Sequence, residues 1–423
     1  MAEAAHSDHA IKLVTLENGM RVALERLPYL HSASMGVWIR VGSAHEQAAE
    51  AGIAHFLEHL FFKGTETRTT RQIMEAVESR GGQLNAFTSR EYTCLYAKVL
   101  ESHVAAGIEI LADITCNSTF NDLEKERNVI LEEIASVEDT PDEFVFDLLS
   151  TYHWPDHPLG RAVSGTQESV SALGLEDVRR FYRQWYVPEN MIFAIAGNFD
   201  EDRVLEQVKE VFGGMPAGAV DGGGTCPGFR PGAILAARDI TQAHVTFAFP
   251  GPALGTPDRF ICDLASNILG GGSTSRLFER IREDEGLAYA IYTFDSFYRH
   301  SGMMGIYAAV APQNFNKTID LTLEELKTFC ETPVSEEELE MNREQLKGGM
   351  LMSLEGTFNR MSRMAKSLMY YGRVIPVDEV ITRLDAVQPA DIQNFARNTF
   401  TEATTALVVL GPESLVLPER IAP

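Results

Sequence analysis

The segment Gly52 to Gly64, GIAHFLEHLFFKG, sets two histidines and a glutamate in an otherwise apolar run. His55 and His59 are four apart, so on an α-helix, at about 100° per residue, they fall within about 40° of each other on one face. Two imidazoles so placed can ligate one Zn2+, and Glu58 beside them offers a carboxylate to take a proton from water at the ion. A lone histidine on an apolar helix is ordinarily a core residue with a satisfied ring. Here Ile53, Phe56, Leu57, Leu60, Phe61 and Phe62 leave the helix little contact with water, where an unpaired carboxylate is costly. A divalent cation would compensate it. The order H-x-x-E-H inverts H-E-x-x-H and, to be believed, needs a third ligand.

The segment NDLEKERNVILEEIASVEDTPDE reads as a helix capped by Asn121 or Asp122, with Leu123, Val129, Ile130, Ile134 and Val137 at helical spacing and Pro141 just past its end. Glu126 and Glu133 share one stripe, about 10 Å apart along the axis at about 1.5 Å per residue, so both are not expected to ligate one ion. Glu132 points about 100° away from Glu133. Spacing alone leaves open which glutamate binds, and a solvated helix face is the ordinary reading of each.

These helices must be positioned by something larger. The chain has 423 residues, more than one hydrophobic core usually supports, and its 45% hydrophobic and 23% charged residues are those of a soluble globular protein. Glycine and proline punctuate Gly213 to Gly232 so densely that this segment reads as a linker between an N-terminal domain, 1–212, and a C-terminal domain, 233–423. The halves follow a similar order of elements. In the first, Met35, Val37, Ile39 and Val41 alternate as a strand, a helix covers Ile53 to Lys63, a threonine-capped helix in TTRQIMEAVESRGG stops at Gly81, and GQLNAFTSREYTCLYAKVL alternates again. In the second, AHVTFAFPG is followed by helices in DRFICDLASNILGGG and STSRLFERIREDEG and strands in LAYAIYTFDSFYR and SGMMGIYAAVAP. Long helices beside mostly antiparallel strands predict an α+β class with two similar sandwich domains. The second half has DRFICDLASNIL where an H-x-x-E-H would repeat, so one metal site per chain is expected. Gly270–Ser273 is glycine-rich but lacks the Gly-Lys-Ser/Thr of a phosphate cradle.

The net charge of -24 argues against nucleic acid or an anionic membrane as the main partner and favours a basic ligand. Cys94, Cys116, Cys226, Cys262 and Cys330 are odd in number and widely spaced, which suits neither a disulfide framework nor a cysteine metal site. The first thirteen residues lack a basic n-region followed by an apolar run, and no stretch reaches membrane-spanning length, so a cytoplasmic location is expected.

Taken together, HFLEH and the later ERNVILEEI resemble the pitrilysin family of zinc metallopeptidases. The resemblance continues through GGQLNAFTSREYTCLYA, HPLGRAVSG, WYVPENMIFAIAGNFD, GGGSTSRLFERIREDEGLAYAIY and SEEELEMNREQLKGG, nearly the whole chain. It implies His55, His59 and Glu133 as ligands of one zinc ion, Glu58 as general base, and Glu126 as a glutamate supporting the ligands from behind. It implies that Arg282 and Tyr289 hold the substrate backbone and the developing oxyanion. It also implies that Asn85, Ala86, Phe87 and Thr88 form an edge strand pairing with an extended peptide. The expected activity is endopeptidase cleavage of unstructured peptides by metal-activated water in an enclosed chamber. The expected assembly is a homodimer or a heterodimer with a paralogous chain. A non-catalytic or partner-requiring subunit of a processing-peptidase-like assembly is the alternative.

Overall fold

Eleven strands of the described residues fall into two mixed sheets, one from each half of the sequence. The computed structural model describes residues 11–218, 220 and 224–423. Residues 1–10 of the N-terminal stretch and residues 219 and 221–223 of the linker segment lie outside the described residues. In the first sheet β1 (Lys12–Thr15), β2 (Arg21–Arg26), β3 (Ser32–Ile39), β4 (Gln83–Thr88), β5 (Thr93–Leu100) and β6 (Met191–Gly197) run in the order β1-β2-β6-β3-β5-β4. Only β2 and β6 pair in parallel. In the second, β7 (Gly232–Ala237), β8 (Ala243–Gly251), β9 (Ala288–Phe297), β10 (Gly302–Val310) and β11 (Ala406–Gly411) run β7-β11-β8-β10-β9, with β7 and β11 the parallel pair. The molecule is thus α+β, with mostly antiparallel sheets covered by helices. β7 begins at Gly232, the last residue of the segment read as linker.

Alternation along β3 predicts a strand, and the strand forms, but Ala33 through Ile39 are all buried. Both faces of the first sheet are covered. Met35, Val37 and Ile39 join a core with Ile53, Phe56, Leu57 and Leu60 of the histidine-bearing helix. On the opposite face Trp38, Cys94, Ile192 and Ala194 pack against Met361, Met364, Ala365 and Leu368 of the helix Thr357–Tyr371. That helix comes from the far end of the sequence and is tied down by Ser34 Oγ to Thr357 Oγ1 at 2.8 Å and by an ion pair from Arg360 to the fully buried Glu25.

By its contacts the chain forms two compact units. The first contains the described residues of Met1–Ile134, Ala162–Gly223 and Leu351–Asp378; the second contains those of Ala135–Arg161, Gly224–Met350 and Glu379–Pro423. The two sequence halves therefore exchange a helical segment. In the second unit the helix Pro141–His153 packs on β8 and β11, and its Phe146 ring stacks 5.5 Å from Tyr307.

Two helices differ from the sequence expectation. The histidine-bearing helix spans Ile53–Leu60 and gives way to turns before Lys63, although the spacing predicts helix to Lys63. Within STSRLFERIREDEG the regular element is a π-helix, Phe278–Asp284. Such wide turns are rare and recur at functional sites. Among the described residues no helix is long and apolar enough to cross a membrane.

Candidate metal centre

The helix Ile53–Leu60 buries Ile53, Ala54, Phe56, Leu57 and Leu60 and leaves His55 and His59 half-buried on the other stripe. Opposite them the helix Leu123–Glu138 buries Ile130 and Ile134, which turns Glu133 toward the histidines. His59 Nε2 lies 3.5 Å and His55 Nε2 3.8 Å from Glu133 Oε2. The three ligand atoms of this group lie within 4.8 Å of one another. Tetrahedral zinc at about 2.1 Å from each donor needs separations of about 3.4 Å, so small side-chain shifts would close this set on an ion. Glu132, the neighbour of Glu133, is exposed and outside the group.

The electrostatics fit the same ion. Burial, then the neighbouring His59, lowers the pKa of His55 to about 4. At neutral pH it is therefore an uncharged imidazole, the form that ligates metal, and its approach to Glu133 is not an ion pair. Burial raises the Glu58 carboxyl above the usual carboxylate range, opposed chiefly by hydrogen bonding from Thr88 and by His59. Glu58 Oε2 and His55 Nδ1 are buried without hydrogen-bond partners. An orphaned carboxylate oxygen beside three converging donors is the situation that a cation and its water relieve.

Glu126 does not join the three donors. It is 2% exposed and lies behind His59, where Oε2 faces His59 Nδ1 at 3.4 Å and Oε1 meets Lys63 Nζ at 2.8 Å. A carboxylate behind a metal-ligating histidine fixes its ring orientation and tautomer. In the sequence Lys63 reads only as a helix end. Its place four past His59, at the end of the expected helix, is the one signal that could have found it.

Asn85, Ala86, Phe87 and Thr88 lie on β4, the edge of the first sheet. Asn85 is exposed and Ala86 buried, while Phe87 packs its ring 5.7 Å from Trp38. Thr88 sits against Glu58, a contact its place on an edge strand does not announce. Arg282 and Tyr289 belong to the second unit. Arg282 is on the π-helix with its guanidinium 4.8 Å from the Phe278 ring, and Tyr289, near the start of the edge strand β9, is 78% exposed.

Comparison with known proteins gives the family of the chain. Residues 21–167 match the family described as Insulinase (Peptidase family M16), and residues 172–346 match the Peptidase M16 inactive domain. An uncharacterized zinc protease of Bacillus subtilis (strain 168) is 39% identical over 404 residues, covering 95% of this chain and 98% of its own. One from Mycobacterium tuberculosis (strain ATCC 25618 / H37Rv) is 37% identical over 411 residues, covering 95% and 93%. Among solved structures, a protease from Helicobacter pylori superposes with a TM-score of 0.89 at 22% identity over 96% of this chain and 100% of its own. A peptidase M16 inactive domain from Pseudomonas fluorescens gives 0.88 at 17% identity over 96% and 100%. The chain belongs to the M16 peptidase family, the pitrilysin-like peptidases, whose relatives here are named zinc proteases. Its second half matches a domain described as inactive, in keeping with a single H-x-x-E-H in the sequence.

Proposed function

We propose that this protein is a zinc-dependent endopeptidase with one metal centre per chain. The observation that carries the reading is the convergence of His55, His59 and Glu133 beside a half-buried Glu58 whose Oε2 is buried and unpartnered. His55, His59 and Glu133 would hold the ion. When bound, zinc would supply Lewis acidity there and would lower the pKa of water at the site to about 7. Glu58 accepts a proton at Oε2 and returns it to the leaving amine, a task for which a carboxyl pKa raised by burial is better matched to neutral pH than an ordinary one. Glu126, neutralised by Lys63, orients His59 through Nδ1.

The family resemblance supports the rest of the assignment. Asn85–Thr88 pair with an extended peptide, and Arg282 and Tyr289 bind its backbone and the developing oxyanion. Substrates are unstructured peptides admitted to a chamber formed by paired chains, and the net charge of -24 favours basic ones. The test is cleavage of quenched-fluorescent peptides by the chain purified alone, with and without chelator, beside metal analysis. Chelator-sensitive cleavage with about one zinc per chain is expected. Zinc without cleavage would replace the self-sufficient peptidase by a subunit that needs a partner.

A further inference from the structure

Glu46 is a buried acid with no part in the chemistry above. It is 3% exposed, and its carboxylate closes on the start of the histidine-bearing helix: Oε2 accepts from the Gly52 amide and Oε1 from the Ala54 amide, each at 2.9 Å. Gly52 opens that helix with φ of 90° and has no side chain to cap it. A Cβ there would meet the Ser164 carbonyl oxygen at 2.5 Å, so the cap must come from elsewhere. Glu46 supplies from a preceding loop what an Asp or Ser at the first position supplies from within, with a charge that complements the helix dipole.

The same loop is fastened at its other end to the strand turn beyond Thr88. Ser43 and Ala44 amides donate to the carbonyls of Ser89 at 3.2 Å and Arg90 at 2.7 Å. The approach is close: a Cβ on Gly42 would meet the Ser89 carbonyl oxygen at 2.0 Å. Thr88 in turn sits against Glu58, and its hydroxyl oxygen lies 3.5 Å from the Ala54 carbonyl oxygen. Residues 42–46 therefore clamp Ala54, the neighbour of His55, to the turn that follows Thr88.

We propose that Glu46 is a positioning residue for the metal centre. It fixes the rise and rotation of the helix so that His55 and His59 converge on Glu133 while Glu58 stays against Thr88. It acts through backbone amides and touches neither ion nor substrate. The kinetic part of the inference rests on the peptidase reading; the metal-binding part stands without it.

The test uses the full chain carrying Glu46→Gln, which keeps the size but leaves one of two amides without an acceptor, and Glu46→Asp, which keeps the charge one methylene short. Zinc dissociation constants come from chelator competition, ligand geometry from the absorption spectrum of the Co2+-loaded chain, folding from circular dichroism and thermal unfolding. Glu46→Gln is expected to fold, to bind zinc about tenfold more weakly with an altered Co2+ spectrum, and to lose about tenfold in kcat with KM little changed. Glu46→Asp should fall between it and the unmodified chain. A folded Glu46→Gln chain with unchanged zinc affinity and Co2+ spectrum overturns the proposal, whatever happens to its melting temperature. Should Glu46→Gln fail to fold, Glu46→Asp decides by the same criterion. If the unmodified chain binds zinc and cleaves nothing, the peptidase reading fails alone and the zinc affinities still decide the role of Glu46.

Discussion

Lys63 Nζ lies 2.8 Å from Glu126 Oε1, and the other oxygen of that buried carboxylate faces His59 Nδ1 at 3.4 Å. One cation thus sits against the carboxylate behind a ring of the candidate metal centre. Without Lys63 the buried carboxylate would lose the cation that offsets its charge and would hold the imidazole less firmly. Lys63→Met should therefore weaken zinc retention by about tenfold, while Lys63→Arg, which keeps the charge, should stay close to the unmodified chain. Chelator competition on both variants checks this, and equal affinities for Lys63→Met and Lys63→Arg would refute it.

Glu133 and Glu132 are neighbours with different surroundings. Both are exposed on one helix, but Glu133 faces both histidines and Glu132 stands outside the group. Glu133→Gln should weaken zinc binding by more than about 100-fold, and Glu132→Gln should leave it within about twofold. Metal analysis after dialysis distinguishes them; the reverse order would remove Glu133 from the ligand set.

Arg360 and Glu25 join the helix Thr357–Tyr371 to β2 across a fully buried carboxylate. Arg360→Met leaves Glu25 buried without its cation and should destabilise the fold by about 3–5 kcal/mol. The double variant Glu25→Gln with Arg360→Met should recover much of that loss in denaturant titrations. No recovery would mean that the arginine acts through its packing rather than its charge.

Asp295 on β9 gives a pH dependence of known sign. Burial pushes its carboxyl up to about 7, helped by the nearby Asp263 carboxyl and opposed by the Ser266 hydrogen bond, the Cys262 thiol and Arg259. Its unfolded value is about 3.9. The folded state holds the proton more tightly, so its stabilising share is complete below pH 4 and is lost as pH rises toward 7. Asp295→Asn should raise the melting temperature by about 2–4 °C at pH 8 and change it little at pH 4. A larger gain at pH 4 than at pH 8 would contradict the assignment.

The candidate metal centre was largely legible because its parts obey helical spacing: His55 and His59 at four, Glu126 and Glu133 at seven, the second pair on a helix with capping and proline signals at its ends. Lys63 reads as the end of the histidine-bearing helix, and because the chain leaves that helix after Leu60 its contact with Glu126 follows no helical spacing. The exchange of helices was not legible, since Met361, Met364, Ala365 and Leu368 announce an apolar face without saying which sheet it covers. Trp38 at an outward position of β3 was the hint that the first sheet is covered twice. Leu277 and Ile281, four apart, read as an α-turn, and nothing in that spacing signals the wider π-turn from Phe278. Glu46 escaped because its capping contact comes from a loop outside the helix, where no spacing rule applies.

The most direct measurement is zinc content and peptide turnover of Glu58→Gln purified beside the unmodified chain. A general base that is not a ligand predicts about one zinc per chain in both and a loss of about 10²–10⁴ in turnover for the variant. Near-normal turnover in a zinc-loaded Glu58→Gln chain would contradict the account.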